Sequence, residues 1–160
     1  MPRTLVLFHG NGDAVAAMAE AVAEGVRSVR FAEVDVRQLA EGDAFTSGRV
    51  RPLGSAEELA TYDGLILGVT ADKGEHSPVI TRLLAELDAP RKQGTLGLLV
   101  GAAFAAGEAS DEACWALLRA LGGLGLVLVP PGASGSEARK LGHRVAHVVS
   151  WITHARSHNH

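Results

Sequence analysis

Thr4-Leu5-Val6-Leu7-Phe8, running straight into His9-Gly10-Asn11-Gly12-Asp13, is an apolar, β-branched and leucine-rich run that ends in a glycine loop. Beyond the loop Val15, Met18, Ala19, Val22, Ala23 and Val26 recur at helical spacing, while Glu20, Glu24 and Arg27 take the other side. A buried strand that turns tightly into an amphipathic helix opens a parallel α/β sheet, because a parallel neighbour requires a crossover.

The alternation continues outward from this unit. Residues 31–36 alternate through Phe31, Glu33, Val34, Asp35 and Val36 and form the most polar strand, which belongs near an edge. Residues 37–54, with Gly42, Gly48, Pro52 and Gly54, read as a surface excursion, and Ser55-Ala56-Glu57-Glu58 has the form of a capping box. Gly64-Leu65-Ile66-Leu67-Gly68-Val69 is apolar on both faces, as a central parallel strand must be. Ser77-Pro78 opens a helix through Ile80, Leu83, Leu84 and Leu87. A fourth strand is expected at 95–100, followed by a small-residue loop at 101–107. A helix capped by Ser110-Asp111-Glu112 comes next, then a strand at 125–129 and a last helix from about 136 past Ile152. Five strands alternating with helices predict one doubly wound domain over residues 1–160, its helices on both faces of the sheet.

Bulk properties leave few partners named. The 160 residues carry a formal net charge of −3 with no run of like charge, so neither a nucleic-acid track nor an acidic tail is present. No stretch reaches the roughly 18 continuous apolar residues of a membrane span, and Met1-Pro2-Arg3 leads directly into a strand. A cytoplasmic location is the expectation. Cys114 is the one cysteine; its apolar helical neighbours predict a buried, inert thiol. Trp115 and Trp151, both in amphipathic segments, are expected in the core or at an interface.

In doubly wound sheets ligands bind outside the carboxyl ends of the strands, where the winding reverses. The candidate site is therefore made of three loops: His9, Gly10, Asn11, Gly12, Asp13 and Ala14 after the first strand; Thr70, Ala71, Asp72, Lys73 and Gly74 after the third; and Gly101, Ala102, Ala103, Phe104 and Gly107 after the fourth. The chain also resembles a known family through Leu5-Val6-Leu7, Met18-Ala19, Ala21-Val22-Ala23-Glu24-Gly25, residues 58–64 leading to Gly68, residues 124–130 and residues 137–146. It resembles the WrbA-type NAD(P)H:quinone oxidoreductases. That resemblance implies a flavodoxin-like five-stranded sheet of order 2-1-3-4-5, FMN as cofactor, and a homo-oligomer, dimer or tetramer.

The scaffold of this family is present, whereas its side chains at the cofactor are replaced. Gly10 stands where the family has a serine, and Ala14, Ala16 and Ala17 where polar residues are usual, so no hydroxyl lies between His9 and Met18. Asp13 can cap the helix itself and place a carboxylate where the phosphate would sit, and two such anions repel. Gly68-Val69-Thr70-Ala71-Asp72-Lys73-Gly74 keeps the glycine frame of the segment that the family lays along the flavin ring, without its proline, arginine and aromatic residue. The third loop offers backbone amides in place of the family's hydroxyls, and the connection after the fifth strand is cut to residues 132–136.

The expected function is therefore a flavodoxin-like protein of oxidoreductase ancestry with a degraded FMN site, binding FMN weakly or not at all and acting through another ligand or a partner. The alternative is an active FMN-dependent NAD(P)H:quinone oxidoreductase that holds FMN mainly by backbone amides. A separate feature is the stripe His143, His147, His154 and His158, which falls within an arc of about 60° on a straight helix. Pairs four residues apart can chelate a transition metal. With no carboxylate or cysteine to complete a site, the expectation for the stripe is a solvated polar face and no metal, and transition-metal binding through it is the second alternative function.

Overall fold

The computed structural model describes residues 2–10, 13–38, 61–70, 78–92, 94, 99–107, 110–130 and 137–158. Its strands are β1 (Arg3–His9), β2 (Glu33–Gln38), β3 (Gly64–Thr70), β4 (Val100–Ala106) and β5 (Val127–Leu128). The helices are α1 (Asp13–Arg27), α2 (Pro78–Glu86), α3 (Asp88–Lys92), α4 (Ser110–Gly123) and α5 (Ala138–His158). All strand pairings are parallel, in the order β2-β1-β3-β4-β5.

Side-chain alternation splits the core into two layers. Leu5, Leu7, Leu65, Leu67, Ala103 and Ala105 face Leu83, Leu117 and Leu121 of α2 and α4. Val6, Phe8, Ile66, Ala102 and Phe104 face Val15, Ala19 and Val22 of α1 and Leu141, Val145 and Val149 of α5. On this second face α1 and α5 cross so closely that glycine is needed on both helices. A Cβ at Gly25 would collide with the Arg139 carbonyl oxygen, and one at Gly142 with that of Val22. On the sheet beneath, Phe104 lies opposite Gly68 in the β3–β4 register, and its ring occupies the space that a side chain at 68 would need.

Three boundaries differ from the sequence expectation. The fourth strand runs over Val100–Ala106 rather than 95–100, so Gly101, Ala102, Ala103 and Phe104 are buried strand residues and not a loop. Their small size reflects a strand covered on both faces, where Gly101 accommodates Leu126 and Leu121. The second strand begins at Glu33; Phe31 instead sits in the preceding turn with φ 67° and its ring exposed, beneath the Arg30 guanidinium. The fifth strand is reduced to an exposed two-residue edge. Trp115 and Trp151 lie on the surface, not in the core. Arg37 and Gln38, expected to open the surface excursion of residues 37–54, instead extend the second strand; the rest of that excursion and the capping box at 55–58 lie outside the described residues.

At the amino edge of the sheet a polar cluster ties β2 to its neighbours. The Tyr62 hydroxyl donates to Asp35 Oδ2 at 2.6 Å, Arg3 Nη2 donates to the same oxygen at 3.2 Å, and the Arg3 guanidinium lies 4.6 Å from the Tyr62 ring centroid. Burial pushes the Tyr62 pKa up to about 12, and the Asp35 carboxylate opposes phenolate formation further. Above pH 10 the unfolded chain loses this proton while the native state keeps it, so stability falls as pH rises from 10 toward 12. Because Tyr62 is the single tyrosine, an absorbance titration of the native protein should show one phenolate transition, displaced upward, that returns to the ordinary value in denaturant.

Candidate functional site

The order β2-β1-β3 means that the winding reverses between β1 and β3, and the crevice this creates opens at their carboxyl ends. His9, half-buried, is the last residue of β1 and pairs with Val69; one step further the register sets Gly10 beside Thr70, the last residue of β3. The contact at this point is tight. A Cβ at Gly10 would collide with Thr70 Oγ1 and stand 2.7 Å from Thr70 Cβ, and the backbone at Gly10 has φ 155°.

Thr70 Oγ1 is itself buried and has no hydrogen-bond partner among the described residues. Position 10 thus lacks a side chain for a steric reason: the threonine across the crevice fills that volume with a hydroxyl turned inward.

The neighbouring wall comes from β4. Ala105 and Ala106 are buried at its carboxyl end and Gly107, with φ 109°, turns the chain outward. Of the third expected loop only Gly107 lies beyond the strand; Gly101, Ala102, Ala103 and Phe104 are packed inside the sheet. Helix α1 begins at Asp13, whose side chain is exposed in the first helical turn together with Ala14. Its carboxylate adds negative charge at the helix's positive end. The capping hydrogen bond expected from Asp13 is not found among the described residues, since Asp13 is already helical. Asn11, Gly12, Ala71, Asp72, Lys73 and Gly74 lie outside the described residues.

Cys114 takes no part in this edge. It is buried under β4, where its thiol donates to the Ala103 carbonyl at 3.1 Å, and burial pushes its pKa up to about 11. The inert thiol read from its neighbours is what the packing produces.

The histidines of α5 are divided. His143 and His147 face each other, with Nε2 atoms 3.0 Å apart, and Ser28 Oγ stands 2.7 Å from His143 Nδ1. His154 lies further along the helix, and no group of three or more His, Cys, Asp or Glu side chains among the described residues is arranged to hold a metal. Ser28 carried no signal in the sequence: it meets His143 across 115 positions, through the same α1–α5 crossing that requires Gly25 and Gly142.

A parallel five-stranded sheet of this order, with its crevice between β1 and β3, defines a flavodoxin-like α/β protein. Within that class the chain is a distant homologue of the NAD(P)H dehydrogenase (quinone) proteins. It is 33% identical to the one from Cupriavidus metallidurans, over a match covering 65% of this chain and 56% of the relative. The one from Acidithiobacillus ferrooxidans is 36% identical over the same shares. The match thus spans little more than half the length of these curated relatives. No protein-family model matches the chain.

Among solved structures, a flavodoxin from the domain Archaea superposes with a TM-score of 0.68 at 19% identity, covering 92% of this chain and 99% of that one. A WrbA-like flavodoxin from Agrobacterium tumefaciens gives 0.66 at 17% identity, covering 96% and 99%. These likenesses concern the fold. No described helix is long and apolar enough to cross a membrane.

Proposed function

We propose that this protein keeps the flavodoxin scaffold of a quinone-reductase lineage but no longer holds FMN tightly, and that its carboxyl-edge crevice serves another ligand or a protein partner. The observation that carries this reading is the contact between Gly10 and Thr70. A phosphate at the start of α1 is held by unpaired amides and by hydroxyls around them. Here one hydroxyl position is occluded by Thr70, the Thr70 hydroxyl is covered, and Asp13 brings a like charge to the helix end. The described residues therefore fit FMN poorly, leaving backbone amides as the remaining donors. Each missing contact to a charged group removes about 1.5–3 kcal/mol, so losing two weakens a nanomolar site by about 100- to 30,000-fold, and the like charge of Asp13 weakens it further.

Titrating FMN with the purified protein and following flavin fluorescence tests this. The expected result is a dissociation constant above about 10 µM. Submicromolar binding would overturn the reading.

The second reading, an FMN-dependent NAD(P)H:quinone oxidoreductase, is favoured by the homology to proteins of that activity. It requires the α1 amides alone to seat the phosphate. Quinone reduction by NADH that saturates at low micromolar added FMN is the result that would select it.

We further propose that the chain associates with itself through the β5 edge. Leu128 is exposed there beside Trp115, which is 57% exposed, and the two side chains flank a depression lined also by Leu118, Arg119 and Pro130. Light scattering is expected to give a multiple of the 16.6 kDa chain mass, and Trp115→Glu to return it to monomer.

A further inference from the structure

The contact between His143 and His147 lies far from the crevice. Helix α1 starts at the carboxyl edge and runs 15 residues, so Ser28 beyond its last turn is about 22 Å from that start. What the proposed function uses therefore does not account for the pair.

The hydrogen bonds around the pair fix its protons. Ser28 donates its hydroxyl hydrogen to the Gly25 carbonyl at 2.6 Å, so Ser28 Oγ can only accept from His143, 2.7 Å away. In the neutral imidazole Nδ1 of His143 accordingly carries the proton, and its Nε2 is a bare lone pair. The hydrogen in the 3.0 Å contact then belongs to Nε2 of His147.

His143 thus presents an unprotonated Nε2 while its other nitrogen is anchored, which is how imidazoles that ligate metals are commonly held. Moving the His147 proton from Nε2 to Nδ1 changes no charge and turns the contact into two lone pairs converging on one point. Two nitrogens bound at 2.0–2.1 Å to a tetrahedral ion stand about 3.3 Å apart, so a few tenths of an ångström of side-chain motion opens the position.

We propose that His143 and His147 form a bidentate site for a transition-metal dication of the imidazole-preferring kind, Zn²⁺, Ni²⁺ or Cu²⁺, with Ser28 as a positioning residue. Among the described residues no third His, Cys, Asp or Glu completes the set, so the remaining coordination positions are open to water or an external ligand. They open into a groove of about 680 Å³ lined also by Arg139, Lys140, Arg144 and Trp151. Three cationic side chains repel a bare dication, which limits affinity and suits an anion as the external ligand. His154 and the residues beyond it are not needed.

The test is a calorimetric titration of the full chain with Ni²⁺, paired with tryptophan fluorescence. Trp151 lies beside His147, with ring centroids 5.9 Å apart, so an open-shell ion bound there quenches its emission. One equivalent should bind with a dissociation constant on the order of 10 µM. His143→Ala and His147→Ala should each weaken it at least tenfold, and His154→Ala with His158→Ala should leave it unchanged. Ser28→Ala should weaken it about 10- to 100-fold, and Ser28→Thr, which keeps the hydroxyl, should restore it. Trp151→Phe should abolish most of the quench while the heat of binding persists. Ser28 and His143 are exposed and His147 is half-exposed, and circular dichroism would confirm that the variants are folded. The proposal is overturned if the wild-type chain takes up no Ni²⁺ saturably below about 100 µM. Undiminished binding by the His143→Ala/His147→Ala variant would overturn it equally.

Discussion

Replacing Gly142 by alanine should destabilise the protein by about 2 kcal/mol, although the same change in a free helix would stabilise it by about 1 kcal/mol. Position 142 lies inside α5, where glycine is otherwise a poor choice. A Cβ there would collide with the Val22 carbonyl oxygen and lie 2.8 Å from the Val22 carbonyl carbon, which are backbone atoms that no rotamer change can move. The helices must separate, and Val22, Val26, Leu141 and Val145, all buried on this face, lose contact together. Gly25→Ala should behave alike, since its Cβ meets Arg139 from the other side. The double variant should cost less than the sum, because one separation relieves both. Gly123→Ala is the control: nothing lies within 4 Å of a Cβ at that site, so stability should be unchanged or slightly raised. Thermal unfolding would show the first two as losses of about 4–8 °C.

The larger single loss is expected at Phe104, whose truncation to alanine should cost about 3–5 kcal/mol. Its ring is 3% exposed, fills the layer between the sheet and α1 and α5, and lies over Gly68 on the neighbouring strand. Gly68→Ala alone should cost about 1–3 kcal/mol by overpacking, because its Cβ would collide with that ring. Combining the two changes removes both the clash and part of the cavity. Urea denaturation of the four species should therefore give a double variant more stable than the sum of the two losses predicts. Simple additivity would mean that the ring and Gly68 do not share one space.

Much of this architecture is legible in the sequence, and the exceptions have physical causes. Leu5 to Phe8 and Leu65 to Val69 are long apolar runs that only a doubly covered strand requires, so β1 and β3 stand out. Gly101 to Ala106 conceal β4, because a strand squeezed between two helical layers uses the same small residues that a loop would. Phe31 imitates the first residue of a strand by alternation alone, while its positive φ places it in a turn. At the candidate site the crevice was indicated by topology, and the absent hydroxyl at position 10 by the residue type. The cause of that absence, Thr70 in the same volume, depends on strand register across 60 positions and is invisible to local pattern. The histidine pairing follows from helical spacing, but its anchor at Ser28 comes only from the way α1 and α5 cross.

The most direct test of a crevice closed to the flavin phosphate is to follow the backbone amide resonances of Gly10, Asp13, Ala14, Val15 and Thr70 by NMR as FMN is added to about 1 mM. With Thr70 filling the place of a side chain at position 10, any shift of these signals should fit a dissociation constant above about 10 µM. A displacement of the Asp13 to Val15 amides that saturates with a submicromolar dissociation constant would contradict the account, because it would put a phosphate held tightly over the first turn of α1.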